Sequence, residues 1–226
     1  MKIAVFGATG LCGKNLVEVA LNDGYGVKAL IRNPTKLDHI KHENLEIVKI
    51  DIFDVDAVSK QLEDVDAILS CLGGLPTWRW KKETVYSTSI EAIAKAARKA
   101  NKKRIIALTG ARQVPDPEGR EGWFIRNFDW IVMRPIMDDM MRMESYLKEN
   151  CQDLDYTVLR PTGFCKTEPW TGEAIIVPDV YFRPEDSLWI PYKKVVLLML
   201  EALKENKWVK EHVYCAMPNG FDKVEK

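Results

Sequence analysis

Lys2-Ile3-Ala4-Val5-Phe6-Gly7-Ala8-Thr9-Gly10-Leu11-Cys12-Gly13 is the stretch that decides the fold. The apolar run ending at Phe6 meets a glycine at once and reads as a buried strand. From Leu11 to Asn22 the apolar residues Leu16, Val19 and Ala20 fall on one face, as in a helix, and Gly24 follows as a stop signal. Three glycines punctuate the turn between strand and helix, each with its own task. Gly7 permits the tight turn. Gly10, lacking a Cβ, lets a ligand approach the backbone. Gly13 lets the helix pack closely on the strand. The helix N-terminus then offers free N–H groups and a positive dipole end to a diphosphate.

The same alternation continues outward. Strands are expected over 26–31, 45–50, 67–72 and 104–108, with a helix whose core is 57–62 and a long helix over 84–99 between them. Strand, helix, strand in repetition implies parallel strands joined by right-handed crossovers. The fold class is therefore α/β, a doubly wound parallel sheet of the Rossmann NAD(P)-binding type, in which ligands sit outside the carboxyl ends of the strands. One such domain accounts for residues 1–226, with a substrate-side C-terminal portion from about residue 112. In that portion 112–122 reads as a polar loop, 137–150 as a helix, 156–159 as a strand stopped by Arg160-Pro161, 195–204 as a helix and 212–217 as a late strand. The aromatic-rich 169–191 shows no period and reads as a substrate-side insertion.

Composition restricts the function. Lys+Arg and Asp+Glu both number 33, so the formal net charge is zero, and no basic face for nucleic acid is indicated. No apolar run approaches the roughly 20 residues that span a bilayer. A cytoplasmic protein is expected, with no nucleic-acid or membrane partner, acting as a monomer rather than an oligomer. The five cysteines, Cys12, Cys71, Cys151, Cys165 and Cys215, are scattered without zinc-ligand spacing, so free thiols and no metal are expected.

The cofactor is expected to be NADPH/NADP. An NAD site places an acid after the second strand to bind both ribose hydroxyls. Here Ile31 is followed by Arg32, whose planar guanidinium takes a 2′-phosphate bidentately where an acid would repel it. Asn33, Thr35 and Lys36 follow on the same loop.

The chemistry is marked by what is missing. A common alcohol dehydrogenase uses Tyr-x-x-x-Lys, in which the lysine lowers the tyrosine pKa. None of Tyr25, Tyr86, Tyr146, Tyr156, Tyr181, Tyr192 and Tyr214 has a lysine four residues on, and the fifth strand ends Leu108-Thr109-Gly110-Ala111 without the partner serine. Hydride transfer to a conjugated acceptor needs no strong protein acid, because a solvent proton suffices and the cofactor carries the difficult step. Positioning then becomes the protein's main task.

The Gly-x-x-Gly-x-x-Gly spacing resembles the short-chain dehydrogenase/reductase superfamily, in its atypical and extended form. Together with Ile31-Arg32, Asp138-Asp139-Met140-Met141-Arg142-Met143 and Leu159-Arg160-Pro161-Thr162-Gly163, the chain resembles the biliverdin reductase B/flavin reductase (NADPH)-like group of the NAD(P)H-binding, NmrA-like branch. The resemblance covers most of the chain, with insertions near 77–82 and 119–136. It implies NADPH-dependent reduction of flavins and biliverdin isomers in an open pocket. It also implies that Asp51-Ile52 flank the adenine and that Leu72-Gly73-Gly74 run beside the ribose. The cofactor-binding set is then Gly7, Thr9, Gly10, Leu11, Cys12, Gly13, Arg32, Lys36, Asp51, Ile52, Leu72, Gly73, Gly74, Thr109, Pro161 and Thr162.

Three departures bear on the substrate. Gly110 stands where the group has a serine, Met140 where it has a histidine, and Phe164 where a second histidine follows a Pro-Pro step. No catalytic residue is assigned, and Thr109, Gly110, Arg112 and Met140 are the candidates. Trp123, Trp130 and Trp170 are candidate walls for a small-molecule conjugated acceptor. Asp138 and Asp139 read as acids at a helix N-terminus. A reductase of flavin-like or tetrapyrrole acceptors and a non-enzymatic NADP(H)-sensing protein both remain open, while the missing Tyr-x-x-x-Lys argues against a sugar-nucleotide epimerase.

Overall fold

The computed structural model describes residues 1–74, 84–111, 113, 123–166, 172–181, 183 and 185–219, with 123–132 described as backbone alone. The elements run β1 (Lys2–Phe6), α1 (Leu11–Asn22), β2 (Gly26–Ile31), β3 (Leu45–Lys49), α2 (Val55–Leu62), β4 (Ala67–Ser70), α3 (Val85–Lys99), β5 (Arg104–Leu108), α4 (Trp123–Asn150), β6 (Asp155–Pro161), β7 (Gly163–Cys165), β8 (Ile175–Pro178), β9 (Trp189–Pro191), α5 (Tyr192–Lys204) and β10 (Glu211–Ala216). Eight strands form one sheet in the order β3-β2-β1-β4-β5-β6-β10-β8. All its pairings are parallel except that of β8 with β10. The order reverses between β1 and β4, so the loops leaving these strands part and open a crevice at the carboxyl edge.

Side-chain alternation along the strands divides the core into two layers. Ile3 and Val5 of β1 pack with α1 and α5 on one face, while Ala4 and Phe6 pack with α2, α3 and α4 on the other. Covered on both faces, β1 and β5 are buried along nearly their whole length, which is why they read as unbroken apolar runs. Among the described residues no helix is long and apolar enough to cross a membrane.

Several expected bounds move, each for a physical reason. α2 extends from the expected core at 57–62 back to Val55, where the Asp54 carboxylate accepts from the Ala57 N–H at 2.9 Å. β4 ends at Ser70, where the backbone of Cys71 and Leu72 turns against Gly7. β6 continues through Arg160 to Pro161, whose carbonyl accepts from the Ala111 N–H at 2.8 Å. The stretch 169–191 is not a mere insertion, because its β8 is the edge strand of the main sheet. The loop expected over 112–122 lies outside the described residues apart from Gln113.

The largest correction concerns α4. It begins at Trp123, not 137, and carries Pro135 inside it. Asp138 and Asp139 therefore lie mid-helix. Asp139 is fully buried and accepts from the Tyr86 N–H at 2.7 Å and from the Ser87 hydroxyl. It caps the N-terminus of α3, whose own Thr84 makes no side-chain cap bond. The acid does meet a helix N-terminus, but that of a neighbouring helix.

A buried polar seam ties α4 to the sheet. Arg160 donates to both Glu144 carboxylate oxygens, and the two side chains are 2% and 4% exposed. Thr109 donates its hydroxyl proton to Glu144 at 2.7 Å. The Arg160 guanidinium also lies 3.9 Å from the centre of the Tyr181 ring and donates to the Val180 carbonyl at 3.2 Å. Arg160 Nη2 stands 3.0 Å from His212 Nδ1. Because the guanidinium can only donate, His212 accepts at Nδ1 and carries its proton on Nε2, a tautomer assigned from this geometry. Burial, the largest influence, pushes the His212 imidazole below its usual 6.5.

Two outcomes follow from these contacts. The unfolded chain protonates its histidine near 6.5 while the folded chain resists, so His212 leaves stability intact above that pH and erodes it as pH falls below. Denaturant unfolding between about pH 7.5 and 5 should show this decline in the wild type and a flatter one in His212→Gln, and equal slopes would contradict it. In the β1–α1 turn, a Cβ on Gly13 would lie 2.1 Å from the Gly7 carbonyl oxygen. Gly13→Ala should lower unfolding stability by about 1–3 kcal/mol, as overpacking does, and an unchanged urea midpoint would contradict this.

Candidate cofactor cleft

The β1–α1 loop is shaped by what its glycines touch. Gly7 has φ +74°, a left-handed conformation, and a Cβ there would sit 2.6 Å from the Cys71 backbone. A Cβ on Gly10 would meet only the Gly7 carbonyl, at 3.4 Å, so the outer side of the loop is open. Gly10 is the extended N-cap residue of α1 and makes no side-chain cap bond. Lys14 is the first residue whose N–H is claimed by a helical acceptor, the Gly10 carbonyl at 2.9 Å. The N–H groups of Leu11, Cys12 and Gly13 thus have no intrahelical acceptor. No acid stands in the first turn of α1. Open backbone, three unclaimed donors and a positive dipole end fit a dinucleotide diphosphate.

The remaining loops deliver their residues to the same edge. Arg32 is exposed at the end of β2 and makes no ion pair or side-chain hydrogen bond among the described residues. Its free guanidinium fits a phosphate monoester. Asn33 and Thr35 are occupied with each other, since Asn33 Oδ1 accepts from the Thr35 N–H at 3.2 Å and its hydroxyl at 2.8 Å. Lys36 is exposed in the short 3-10 turn Pro34–Leu37. At the end of β3, Asp51 Oδ1 closes a turn by accepting from the Phe53 N–H at 3.0 Å, and Ile52 packs against the core. Leu72, Gly73 and Gly74 follow β4, with the Tyr86 hydroxyl 3.0 Å from where a Cβ of Gly73 would be. Pro161 and Thr162 close β6, both buried.

The catalytic candidates divide. Thr109 is only 4% exposed, and its hydroxyl is committed to Glu144 while accepting from Gln113 Nε2 at 3.0 Å, so it has no proton for a substrate. Gly110 and Met140 are brought together, with Met140 Sδ 3.5 Å from where a Cβ of Gly110 would stand. They form an apolar wall at the end of β5. Arg112 and Trp170 lie outside the described residues, as do the side chains of Trp123 and Trp130. Phe164 stacks on Tyr192 with ring centres 4.7 Å apart and planes 6° from parallel, so it serves packing between β7 and α5.

Sequence reasoning missed Gln113 and Glu144. Gln113 is fully buried, and its Nε2 donates to Glu144 at 2.5 Å and to the Gly110 carbonyl at 2.9 Å. The available signal was a lone acid, Glu144, on the apolar side of the helix that also carries Met143 and Leu147. Such an acid demands a buried cation, and Arg160 is that cation.

Comparison with known proteins agrees with this geometry. The Ycf39 photosystem II assembly factor of Guillardia theta is 27% identical over 164 residues, covering 73% of this chain and 47% of that protein. The chain spans about half the length of the Ycf39 relatives it matches. A wide-type short-chain dehydrogenase/reductase from Veillonella parvula, solved in complex with NADP, superposes with a TM-score of 0.74 at 16% identity, covering 97% of this chain and 96% of that one. A candidate NADH-flavin reductase from Streptococcus pneumoniae superposes with a TM-score of 0.73 at 22% identity, covering 96% and 99%. At these identities the two structures establish the fold. The sequence profile of the family described as NAD(P)H-binding matches residues 7–206, from the glycine loop to the turn after α5, and the chain belongs to that family.

Proposed function

We propose that this protein is an NADPH-dependent oxidoreductase that passes a hydride to a flat conjugated acceptor, a flavin or a linear tetrapyrrole of the biliverdin type. The observation that carries this reading is the wall at the carboxyl end of β5, which presents no acid among the described residues. Gly110 and Met140 line it, and the Thr109 hydroxyl is spent on Glu144. A carbonyl substrate would need a proton delivered in the transition state. A conjugated acceptor spreads the incoming charge and takes its proton from solvent.

NADPH, when bound, supplies the hydride. The chain's own residues bind and orient. The first-turn N–H groups of α1 hold the diphosphate, and Arg32 holds the 2′-phosphate. Gly110 and Met140 offer a smooth apolar surface against which a planar ring system lies. The likeness to the Streptococcus pneumoniae protein supports a flavin as acceptor. Arg32 favours the phosphorylated cofactor over the NADH of that protein's description, since an exposed guanidinium that has no ion-pair partner among the described residues has a use for the extra phosphate.

A second reading, a non-enzymatic NADP(H)-sensing protein, draws on the likeness to photosystem II assembly factors. Turnover separates the two. NADPH oxidation should be stimulated by FMN, riboflavin or biliverdin, and tight NADPH binding with no oxidation by any of them would leave only the sensing role. Arg32→Ala should lose about 1.5–3 kcal/mol of NADPH affinity by calorimetry, the worth of a charged hydrogen bond, with NADH affinity little changed. Equal losses for both cofactors would remove Arg32 from the 2′-phosphate site.

A further inference from the structure

A cavity of about 210 Å³ opens beside the cofactor turn, between the first turns of α1 and α5 and the end of β7. Its walls include Leu11 and Asn15 of α1, Cys165 and Lys166 at the end of β7, and Tyr192 and Lys193 of α5. The strand register builds it. β7 runs parallel to β9 with Cys165 opposite Pro191, so Lys166 leaves one strand beside the Tyr192 and Lys193 that leave the other. Across from them, Leu11 and Asn15 stand one turn apart on the same side of α1. The Asn15 amide nitrogen donates to the Leu11 carbonyl at 2.8 Å.

The lining is positive and rich in donors. Two lysines contribute to it, and among the described residues no carboxylate does. Lys166 is exposed and makes no ion pair or side-chain hydrogen bond among the described residues, and Lys193 is half-buried. The Asn15 nitrogen keeps a second N–H beyond the one given to Leu11. Burial pushes the Tyr192 hydroxyl above its usual range, so it stays protonated at neutral pH. Neither α1 nor α5 carries an acid in its first turn, and the dipole ends of both add to the positive field. Size then limits the occupant. Pockets that hold whole ligands run to about 300–1,000 Å³, while one water takes about 30 Å³. This cavity is too small for a flavin or a dinucleotide and ample for one phosphoryl group. It is not the 2′-phosphate seat, because Arg32 does not line it. The diphosphate seat is its neighbour, because Leu11 belongs to both.

We propose that this cavity binds the phosphoryl group of a second ligand while NADP(H) occupies the neighbouring diphosphate seat, with Lys166, Lys193 and Asn15 as its contacts. The group comes either from a phosphorylated acceptor, a source that rests on the reductase reading, or from free inorganic phosphate, which does not.

Both sources are tested on the whole chain at saturating NADP⁺. If the acceptor is the source, calorimetry should find FMN bound roughly tenfold more tightly than riboflavin, which lacks only the phosphate. If free phosphate is the source, inorganic phosphate should saturably shift the Asn15 side-chain amide and the Lys166 and Lys193 backbone amides in ¹H–¹⁵N NMR. The double variant Lys166→Gln/Lys193→Gln should abolish whichever response is seen and keep the wild-type affinities for NADP⁺ and riboflavin. Should the pair not fold, the exposed Lys166→Gln alone should weaken the response about threefold. Flavins bound alike together with no phosphate response, or a response unchanged in the variants, would overturn the proposal. So would an equal loss of NADP⁺ affinity, which would assign the lysines to the cofactor's own diphosphate. If neither flavin binds, the reductase reading loses its flavin, and the phosphate titration still decides the cavity.

Discussion

The close contact between the first turn of α1 and the Gly7 carbonyl governs this molecule. With the Gly13 Cβ position only 2.1 Å from that oxygen, no other residue allows the helix to come so near β1. The closeness has an electrostatic consequence. It places the N–H groups of Leu11, Cys12 and Gly13 at the mouth of the crevice that the β1/β4 reversal opens. A turn built for packing thereby becomes a seat for a diphosphate. The other strand ends take their distance from it, with Arg32 on the β2 side and the Gly110–Met140 wall beyond β4.

Charge and apolar surface are separated across this edge. The strongly polar groups on the α4 side face inward, where Glu144 is shared among Arg160, Thr109 and Gln113. A buried ion pair is a poor source of net stability, but removing one partner typically costs about 3–5 kcal/mol because the other stays buried and unpaired. The seam therefore fixes α4 and the segment after β5 in a single arrangement. At the end of β5, the partly exposed residues left beside this seam are Gly110 and Met140. That division suits a site whose contribution is placement rather than proton transfer.

The sequence displayed the first half of the fold well, because the two signals involved are local. β1, α1, β2 and β5 are apolar runs with a glycine or polar residue at each end, and the structure keeps their bounds. The second half turns on distant partners. Pro135 reads locally as a helix boundary, yet α4 passes through it. Asp139 reads as the start of its own helix, but its donors are the backbone of Tyr86 and the hydroxyl of Ser87, more than fifty residues earlier. Glu144 and Arg160 are 16 residues apart on different elements, a spacing that no periodicity marks. β8 is four residues long and pairs with β10 near the far end of the described chain. At the site itself, the glycine loop and Arg32 were visible as motifs. The commitment of Thr109 and the burial of Gln113 against Glu144 appear only once α4 is in place.

The most direct test of the central claim is the backbone amide response of the wild-type protein to NADP⁺, followed by ¹H–¹⁵N NMR. A diphosphate seated on the opening turn of α1 should move the Leu11, Cys12 and Gly13 resonances most strongly and saturably, with Arg32 following. Saturable binding that leaves those three amides in place would put the cofactor elsewhere and contradict the account.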